Sequence, residues 1–386
     1  MKVLHIITGL GIGGAEQQLR LLLRQLPTDS EVITLTNPGA VAEGIVADGV
    51  PVTDLDMAGN RDLAALPRLA RLIKRGRYDL VHTHLYRACL YGRFAARLAG
   101  VRTIVATEHS LGAVQIEGRP LSAGARSLYL AGERLGTATV AVSATVARRL
   151  ERWGVRPDRI HVVPNGIEVG RFAYDETARG AARARLGLPQ DAFVVGGVGR
   201  LTGGKRFDRL VRAVAELPDA RLLLIGEGPE RDRLLRLARE RGAADRILLH
   251  GACQDPPPPP SAHPSRRRPD LPALLAAMDV FVSTSPDEAF GLAVVEGLAA
   301  GLPVLHVTCP ALQDLPADAA PGARRVSGSV PGLVDELRRF GAAGPRRLPV
   351  PPAARHYDIA HSARQLMTVY ENAVRGPAPL REVSCS

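Results

Sequence analysis

Residues 283–296 read STSPDEAFGLAVVE. The apolar run Met278 to Val282 precedes this stretch and a helix-like segment follows it, so the order is strand, polar loop, helix. In an open α/β sheet the loop leaving the carboxyl end of a strand faces the ligand crevice, and the first free amides of the next helix point into it. The pattern predicts an anion-binding turn. Glu288 and Glu296 stand eight positions apart around it. With a helix beginning near Phe290, Glu288 lies in the loop and Glu296 on the order of 9 Å along the axis. Two hydroxyl-bearing groups with an anion between them fit this layout, as in a sugar, a diphosphate and a ribose in a row.

Outward from this stretch, apolar strand-length runs alternate with helix-like segments, the pattern of parallel sheets with crossover helices. The first half offers strands at Lys2–Thr8, Glu31–Thr36, Val50–Leu55, Leu80–His84, Thr103–Thr107, Thr139–Ser143 and Ile160–Pro164. The second half repeats the alternation at Phe193–Val198, Arg221–Ile225, Ile247–His250, Val280–Ser283 and Val304–Val307. A chain of 386 residues is too long for one ordinary core. Two Rossmann-like α/β domains are expected, over 1–180 and 190–355, with a linker in the Ala-, Arg- and Gly-rich stretch Asp175 to Gly187. His356 to Val374 carries Ile359, Leu366, Met367 and Tyr370 on or near one helical face, so it reads as a late amphipathic helix. Residues 255–269, DPPPPPSAHPSRRRP, interrupt the second half; five consecutive prolines favour extended polyproline, and a disordered insert without a catalytic role is expected there.

Composition narrows the function classes. Hydrophobic residues make up 46%, yet no polar-free run approaches the roughly 18 to 20 residues that span a bilayer. Val3 to Ile7 is strand length and leads into a glycine loop, so it reads as a first strand and not a signal peptide. Cys89, Cys253, Cys309 and Cys385 lack metal or disulfide spacing, which fits a reducing cytoplasm. The net charge is +11, and lysine occurs only at Lys2, Lys74 and Lys205. An arginine- and alanine-rich chain of this kind is expected from a G+C-rich genome, and the remaining charge is expected to favour phosphate-bearing ligands, acidic acceptors or peripheral contact with anionic membrane. Aromatics are only 4%, without a stacking motif, so nucleic acid is not expected as a partner.

Several further groups could carry chemistry. In VGGVGRLTGGKRFDRL, residues 195–210, a strand ends at Arg200, Gly203 and Gly204 allow a tight turn, and Lys205 stands just before a helix, where basic groups can reach phosphates. TGLGIGGAEQQL sets Gly9, Gly11, Gly13 and Gly14 between a strand and a helix. Gly9, Gly11 and Gly14 fit GxGxxG, but the second strand ends Leu35-Thr36-Asn37, without the acidic residue of a dinucleotide site. His84 and His109 end strands in the first half. Asp54-Leu55-Asp56 resembles a metal-binding DxD string but is remote from the phosphate motifs, and no metal is expected.

The chain resembles the retaining glycosyltransferases of family four, the GT-B enzymes typified by glycogen synthases and bacterial mannosyltransferases. EAFGLAVVEG matches their Glu-x7-Glu signature, GRLTGGK their GRLxxxKG, GGAE their first-domain glycine loop, and TEHS, Thr107 to Ser110, their T-x-H-[ST] element. The resemblance implies two Rossmann-like domains facing across a cleft, the first binding acceptor and the second the nucleotide sugar, with the terminal helix 356–374 crossing back to the first. It implies that Arg200 and Lys205 hold the donor diphosphate, Glu288 the sugar hydroxyls, the amides of Phe290, Gly291 and Leu292 the phosphates, and Glu296 the ribose. By the same resemblance, Gly13 and Gly14 are expected to line the donor site and His109 to touch the reacting sugar from the acceptor side. The implied reaction moves a hexosyl unit, with UDP the first donor to consider, to an acceptor hydroxyl with retention and without a cofactor, in natural-product or glycoconjugate assembly. Where the family has Gly-Gly-x-x-Glu after the strand Val304–Val307, this chain has TCPALQDL, a departure. A non-hydrolysing sugar-nucleotide epimerase and a non-catalytic sugar-nucleotide-binding scaffold remain as alternatives.

Overall fold

A computed structural model describes residues 1–59, 62–112, 115–116, 119–120, 122–253, 270–344 and 346–376. The proline-rich segment 255–269 lies outside them, as does Cys385. Among the described residues the chain is α/β. Its strands are β1 Lys2–Ile7, β2 Asp29–Thr34, β3 Val52–Asp54, β4 Leu80–His84, β5 Ile104–Glu108, β6 Gln115–Ile116, β7 Arg119–Pro120, β8 Ala138–Ala141, β9 Ile160–Val162, β10 Phe193–Val198, β11 Ala220–Ile225, β12 Ile247–Gly251, β13 Val280–Ser283, β14 Val304–His306 and β15 Ala323–Arg325. A seven-stranded sheet has the order β3-β2-β1-β4-β5-β8-β9 and a six-stranded sheet the order β12-β11-β10-β13-β14-β15; β6 and β7 form a small hairpin pair. Strand pairings in both large sheets are parallel. Parallel strands are covered by helices on both faces, which is why β1 and β13 read as nearly continuous apolar runs.

Both orders turn back once. Strand β1 has β2 on one side and β4 on the other, and β10 has β11 on one side and β13 on the other. At such a switch point the flanking loops diverge to opposite faces and leave a crevice at the strand carboxyl ends. The β1/β4 and β10/β13 ends are therefore the two places where this topology accommodates ligands.

Chain contacts group into two compact units, one of Met1–Gly11, Leu22–Val163 and the stretch from Ala360, the other of Ile12–Leu21 and Pro164–Ile359. The grouping differs from the sequence division at residues 12–21 and 164–180, which fall in the second unit. The stretch read as a linker forms a helix, Glu176–Leu186, whose amino end is capped by Asp175 accepting from the Thr177 amide. From this helix Arg179 and Arg183 reach the buried carboxylate of Asp279, at 3.1 and 2.8 Å. Asp279 also accepts from the Val194 amide at 2.8 Å. The arginines of an apparently soluble stretch thus neutralise a buried charge that starts β13 beside β10. Strand β15, whose residues are Ala-Arg-Arg, was not legible as a strand; it pairs at the sheet edge, where polar side chains are tolerated.

The terminal helix runs Ile359–Arg375 and buries Ile359, Ala363, Leu366, Val369 and Tyr370. Tyr370 packs into the first unit, its hydroxyl hydrogen-bonded to His82 Nδ1 at 2.6 Å. The return of the terminal helix to the first domain is thereby observed. Among the described residues no helix is long and apolar enough to cross a membrane.

Candidate active site

At the β10/β13 switch point, two loops are stitched together by side chains. After β10 come Gly199 and the exposed Arg200, then a 3-10 turn Gly203–Lys205. Arg206 takes a left-handed conformation, φ 53°, and redirects the chain into the helix Phe207–Ala215. After β13, the Thr284 hydroxyl donates to the Lys205 carbonyl at 2.7 Å and the Ser285 hydroxyl to the Asp287 carbonyl at 3.0 Å, with a longer contact to the Gly204 carbonyl. Both hydroxyl residues are buried. They explain why the decisive stretch begins Ser-Thr-Ser: the hydroxyls fasten the glutamate loop to the lysine turn. Sequence reasoning left them unassigned, although hydroxyls directly after a buried strand were the available signal.

The fastening brings Lys205 Nζ to 2.5 Å from Glu288 Oε1, with the side chains 31% and 15% exposed. Residues 83 positions apart thus form one charge pair at the crevice mouth. In half-shielded surroundings this pair extends the ammonium and holds it in place, and the cation remains accessible to a stronger anion.

Beyond Glu288 the turn is rigid. Phe290 is buried and meets the Tyr357 ring edge-on at 4.9 Å between centroids. Its carbonyl accepts from the Ala311 amide at 2.9 Å. Gly291 caps the helix Leu292–Ala299 at φ 104°, ψ 44°, and a Cβ there would stand 2.7 Å from Cys309 Sγ. The helix begins at Leu292, directly after this glycine. Only glycine satisfies both the backbone and the space at this position. The first amide to donate within the helix is that of Val294, to the Gly291 carbonyl at 3.0 Å, so the amides of Leu292 and Ala293 before it point out of the helix start, where an anion can bind. Glu296 is half-buried within this helix, roughly 6 Å along the axis from Leu292.

The glycine loop joins the same unit. A Cβ on exposed Gly14 would lie 3.2 Å from Leu292 Cδ1, and one on Gly13 would collide with the Glu16 carboxylate. Of the residues singled out from sequence, Arg200, Lys205, Glu288, Phe290, Gly291, Leu292, Glu296, Gly13 and Gly14 all belong to the second unit, and His109 belongs to the first. Direct proximity is seen for Lys205 with Glu288 and for Gly14 with Leu292. Asp54 of the DxD-like string accepts from Thr34 Oγ1 and from the Asp56 amide, a local turn bond.

At the β1/β4 switch point the first unit holds four buried imidazoles. His5 is the register partner of His82, while His84 follows two residues on along β4 and His109 lies just past β5. His5 Nδ1 lies 3.2 Å from His84 Nε2, and His84 Nδ1 lies 3.2 Å from His109 Nε2. His82 is held separately, by Tyr370 through Nδ1 and by Thr107 Oγ1 at 2.7 Å through Nε2. Burial holds all four rings below the ordinary histidine range, His5 at about 3 and His109 at about 4. They are neutral at pH 7. One nitrogen each of His5, His82 and His84 falls within 4.8 Å of the others, a set that could hold a metal by its donor chemistry. Both nitrogens of His82 already have hydrogen-bond partners, so the geometry reads as a hydrogen-bond network. His84 and His109 were flagged from sequence; His5 and His82 were not, although the period-two spacing of His82, His84 and of Thr107, His109 was visible.

Two Rossmann-like units with switch-point loops of this composition define the GT-B class of glycosyltransferases. A family model described as Glycosyltransferase Family 4 matches residues 12–171, and one described as Glycosyl transferases group 1 matches residues 192–340. The D-inositol 3-phosphate glycosyltransferase of Acidothermus cellulolyticus is 31% identical, with 92% of this chain and 80% of that protein covered. D-inositol 3-phosphate glycosyltransferase 1 of Catenulispora acidiphila is 32% identical, with 86% and 83% covered. Among solved structures, Anabaena HepE in complex with UDP-glucose superposes with a TM-score of 0.81 at 20% identity, covering 96% of this chain and 99% of that one. The chain belongs to the family 4 GT-B glycosyltransferases, enzymes that move a glycosyl unit from a nucleotide-sugar donor to an acceptor.

Proposed function

We propose that the protein transfers a hexosyl unit from a UDP-sugar to an acceptor hydroxyl with retention at the anomeric carbon. The observation that carries this reading is the Lys205–Glu288 pair at the β10/β13 switch point, beside a glycine-capped helix start. Departure of a nucleoside diphosphate concentrates negative charge on its phosphates, and fixed cations and amides there lower the barrier. Lys205 exchanges its carboxylate for the diphosphate, Arg200 reaches it from the end of β10, and the amides of Phe290 to Leu292 complete the clamp. Glu288, released, accepts hydrogen bonds from sugar hydroxyls. Glu296 holds the ribose, and Gly13 and Gly14 leave room for the donor because neither carries a side chain. These groups supply the charge stabilisation without a metal. None is placed as an enzymic nucleophile, so the acceptor attacks on the face the diphosphate leaves, and a diphosphate oxygen takes its proton.

The first domain is the acceptor side, with His109 touching the reacting sugar. UDP appears in the names of the HepE complexes, and D-inositol 3-phosphate in the names of relatives matched over most of both chains. These support a UDP-hexose donor and a compact polyhydroxylated acceptor of the inositol phosphate kind. Buried free Cys89 and Cys309 support a reducing cytoplasm, and the +11 charge supports contact with anionic membrane surfaces, checked by co-sedimentation with anionic and neutral vesicles.

Turnover of UDP-glucose with D-inositol 3-phosphate, with and without chelator, tests the reading. Product with retained configuration in both arms supports it; conversion of the donor sugar without acceptor would show an epimerase. Lys205→Ala is expected to lower kcat by about 10²–10³-fold while the fold is kept.

A further inference from the structure

We propose that His5 and His84 are positioning residues that lock His109 in the Nδ1–H tautomer, so that it meets the reacting sugar or acceptor as a hydrogen-bond donor. The inference rests on the reading of His109 as the acceptor-side group.

Three observations carry it. The first is the continuous line of rings, His5 Nδ1 to His84 Nε2 and His84 Nδ1 to His109 Nε2, each at 3.2 Å. A neutral imidazole has one N–H and one bare nitrogen, so each link fixes the next and the line has only two polarities. The second is what stands at its ends. His5 Nε2 and His109 Nδ1 are both buried without a hydrogen-bond partner among the described residues. Whichever polarity holds, one end carries an N–H without a protein partner; a substrate oxygen can accept it only at the end nearest the strand carboxyl ends, so the inner end, His5 Nε2, is assigned as the bare nitrogen. His5 Nδ1–H then donates to His84 Nε2, His84 Nδ1–H donates to His109 Nε2, and His109 is left with Nδ1–H. This atom lies just past the carboxyl end of β5, beside the β1/β4 switch point where the topology admits a ligand. The third is backbone strain beside the central ring. Leu85 directly follows His84 at φ 72°, ψ 154°, a region adopted almost only by glycine. A leucine kept there shows that the surrounding structure holds the backbone immediately after His84 in place.

His109 is on this account a neutral donor to a substrate oxygen and does not act as a base. Burial, which holds it at about 4, agrees. His82 stays outside the line because Tyr370 and Thr107 engage both of its nitrogens.

The test is long-range proton–nitrogen NMR of the full-length protein labelled at histidine nitrogen, at pH 7, with His5→Asn and His109→Asn for assignment. The expected spectrum shows His109 as a single Nδ1–H tautomer, with a coupling across the hydrogen bond from His84 Nδ1–H to His109 Nε2. An Nε2–H tautomer of His109, a mixture of the two, or a missing coupling overturns the proposal. His84→Asn is expected to give His109 mixed tautomers and to lower kcat by at least about 10-fold, the scale seen when metal-bound histidines lose an outer orienting partner, with the KM for UDP-sugar unchanged. Should His84→Asn not fold, the wild-type spectrum alone decides. Unchanged turnover in His109→Asn alongside the expected spectrum would refute the functional role of His109 and leave the tautomer assignment standing.

Discussion

Lys205 and Leu85 show how single residues hold the two switch points. Lys205 needs a partner of the right strength: one that extends its ammonium but yields it to a diphosphate. Glu288 is that partner, and Glu288→Gln keeps the shape while removing the charge. In this variant the KM for UDP-sugar is expected to change by less than about 10-fold and kcat to fall further, the signature of a contact strengthened in the transition state; steady-state kinetics in the donor separates the two. Leu85 supports a different check. In ordinary backbone, glycine is less stable than alanine by roughly 0.5–1 kcal/mol. At φ 72°, ψ 154° the order should invert. Leu85→Gly is expected to be more stable than Leu85→Ala by about 1 kcal/mol or more, because alanine keeps the strain and loses the same side-chain burial. Urea denaturation of the two variants reads the difference directly.

At the scale of elements, the helix Leu292–Ala299 depends on its glycine cap. Gly291→Ala places a methyl against Cys309 Sγ at 2.7 Å and a side chain at φ 104°. A loss of about 1–3 kcal/mol is expected, together with weaker UDP binding, measured by denaturation and calorimetry; equal affinity would remove the helix start from the donor site. Much of this element was readable from the chain. Parallel strands buried on both faces leave apolar runs of strand length, so β10 and β13 were located to the residue, and the Phe-Gly-Leu turn marked the start of the helix that follows. Elements held by distant partners were not readable. The helix Glu176–Leu186 looked like a solvated linker because its partner, Asp279, lies 96 positions from Arg183. The helix Tyr86–Leu98 starts directly after Leu85 at φ 72°, ψ 154°, a turn that no local propensity announces. In the candidate site Lys205 and Glu288 were singled out from sequence, and the fold pairs them. The hydroxyls of Thr284 and Ser285, and the inner rings His5 and His82, were not, because their roles exist only once strands are aligned.

For the whole molecule, the terminal helix and the buried imidazoles govern stability. Tyr370→Phe leaves His82 Nδ1 without its partner at 2.6 Å. A buried polar atom left unpaired costs about 1–3 kcal/mol, so the melting temperature should fall although the ring is retained. Acid should act through the same cluster. The native rings of His5 and His109 bind protons only near pH 3 to 4, whereas unfolded histidine does so near 6.5. Below 6.5 the unfolded chain therefore takes up more protons than the native one, and stability falls as pH drops through that interval, whereas above it the contribution is complete. Thermal melts between pH 7.5 and 4.5 should show this decline, with a shallower slope in His109→Asn if that variant folds.

The central claim is that Lys205 holds the donor diphosphate at the β10/β13 switch point. Calorimetric titration of UDP into the wild-type protein and into Lys205→Met tests it most directly, because a charge-assisted hydrogen bond of about 1.5–3 kcal/mol corresponds to roughly 10- to 100-fold in affinity. The account predicts that loss, with the melting temperature close to that of the wild type. Equal affinity for UDP in the two proteins would contradict it.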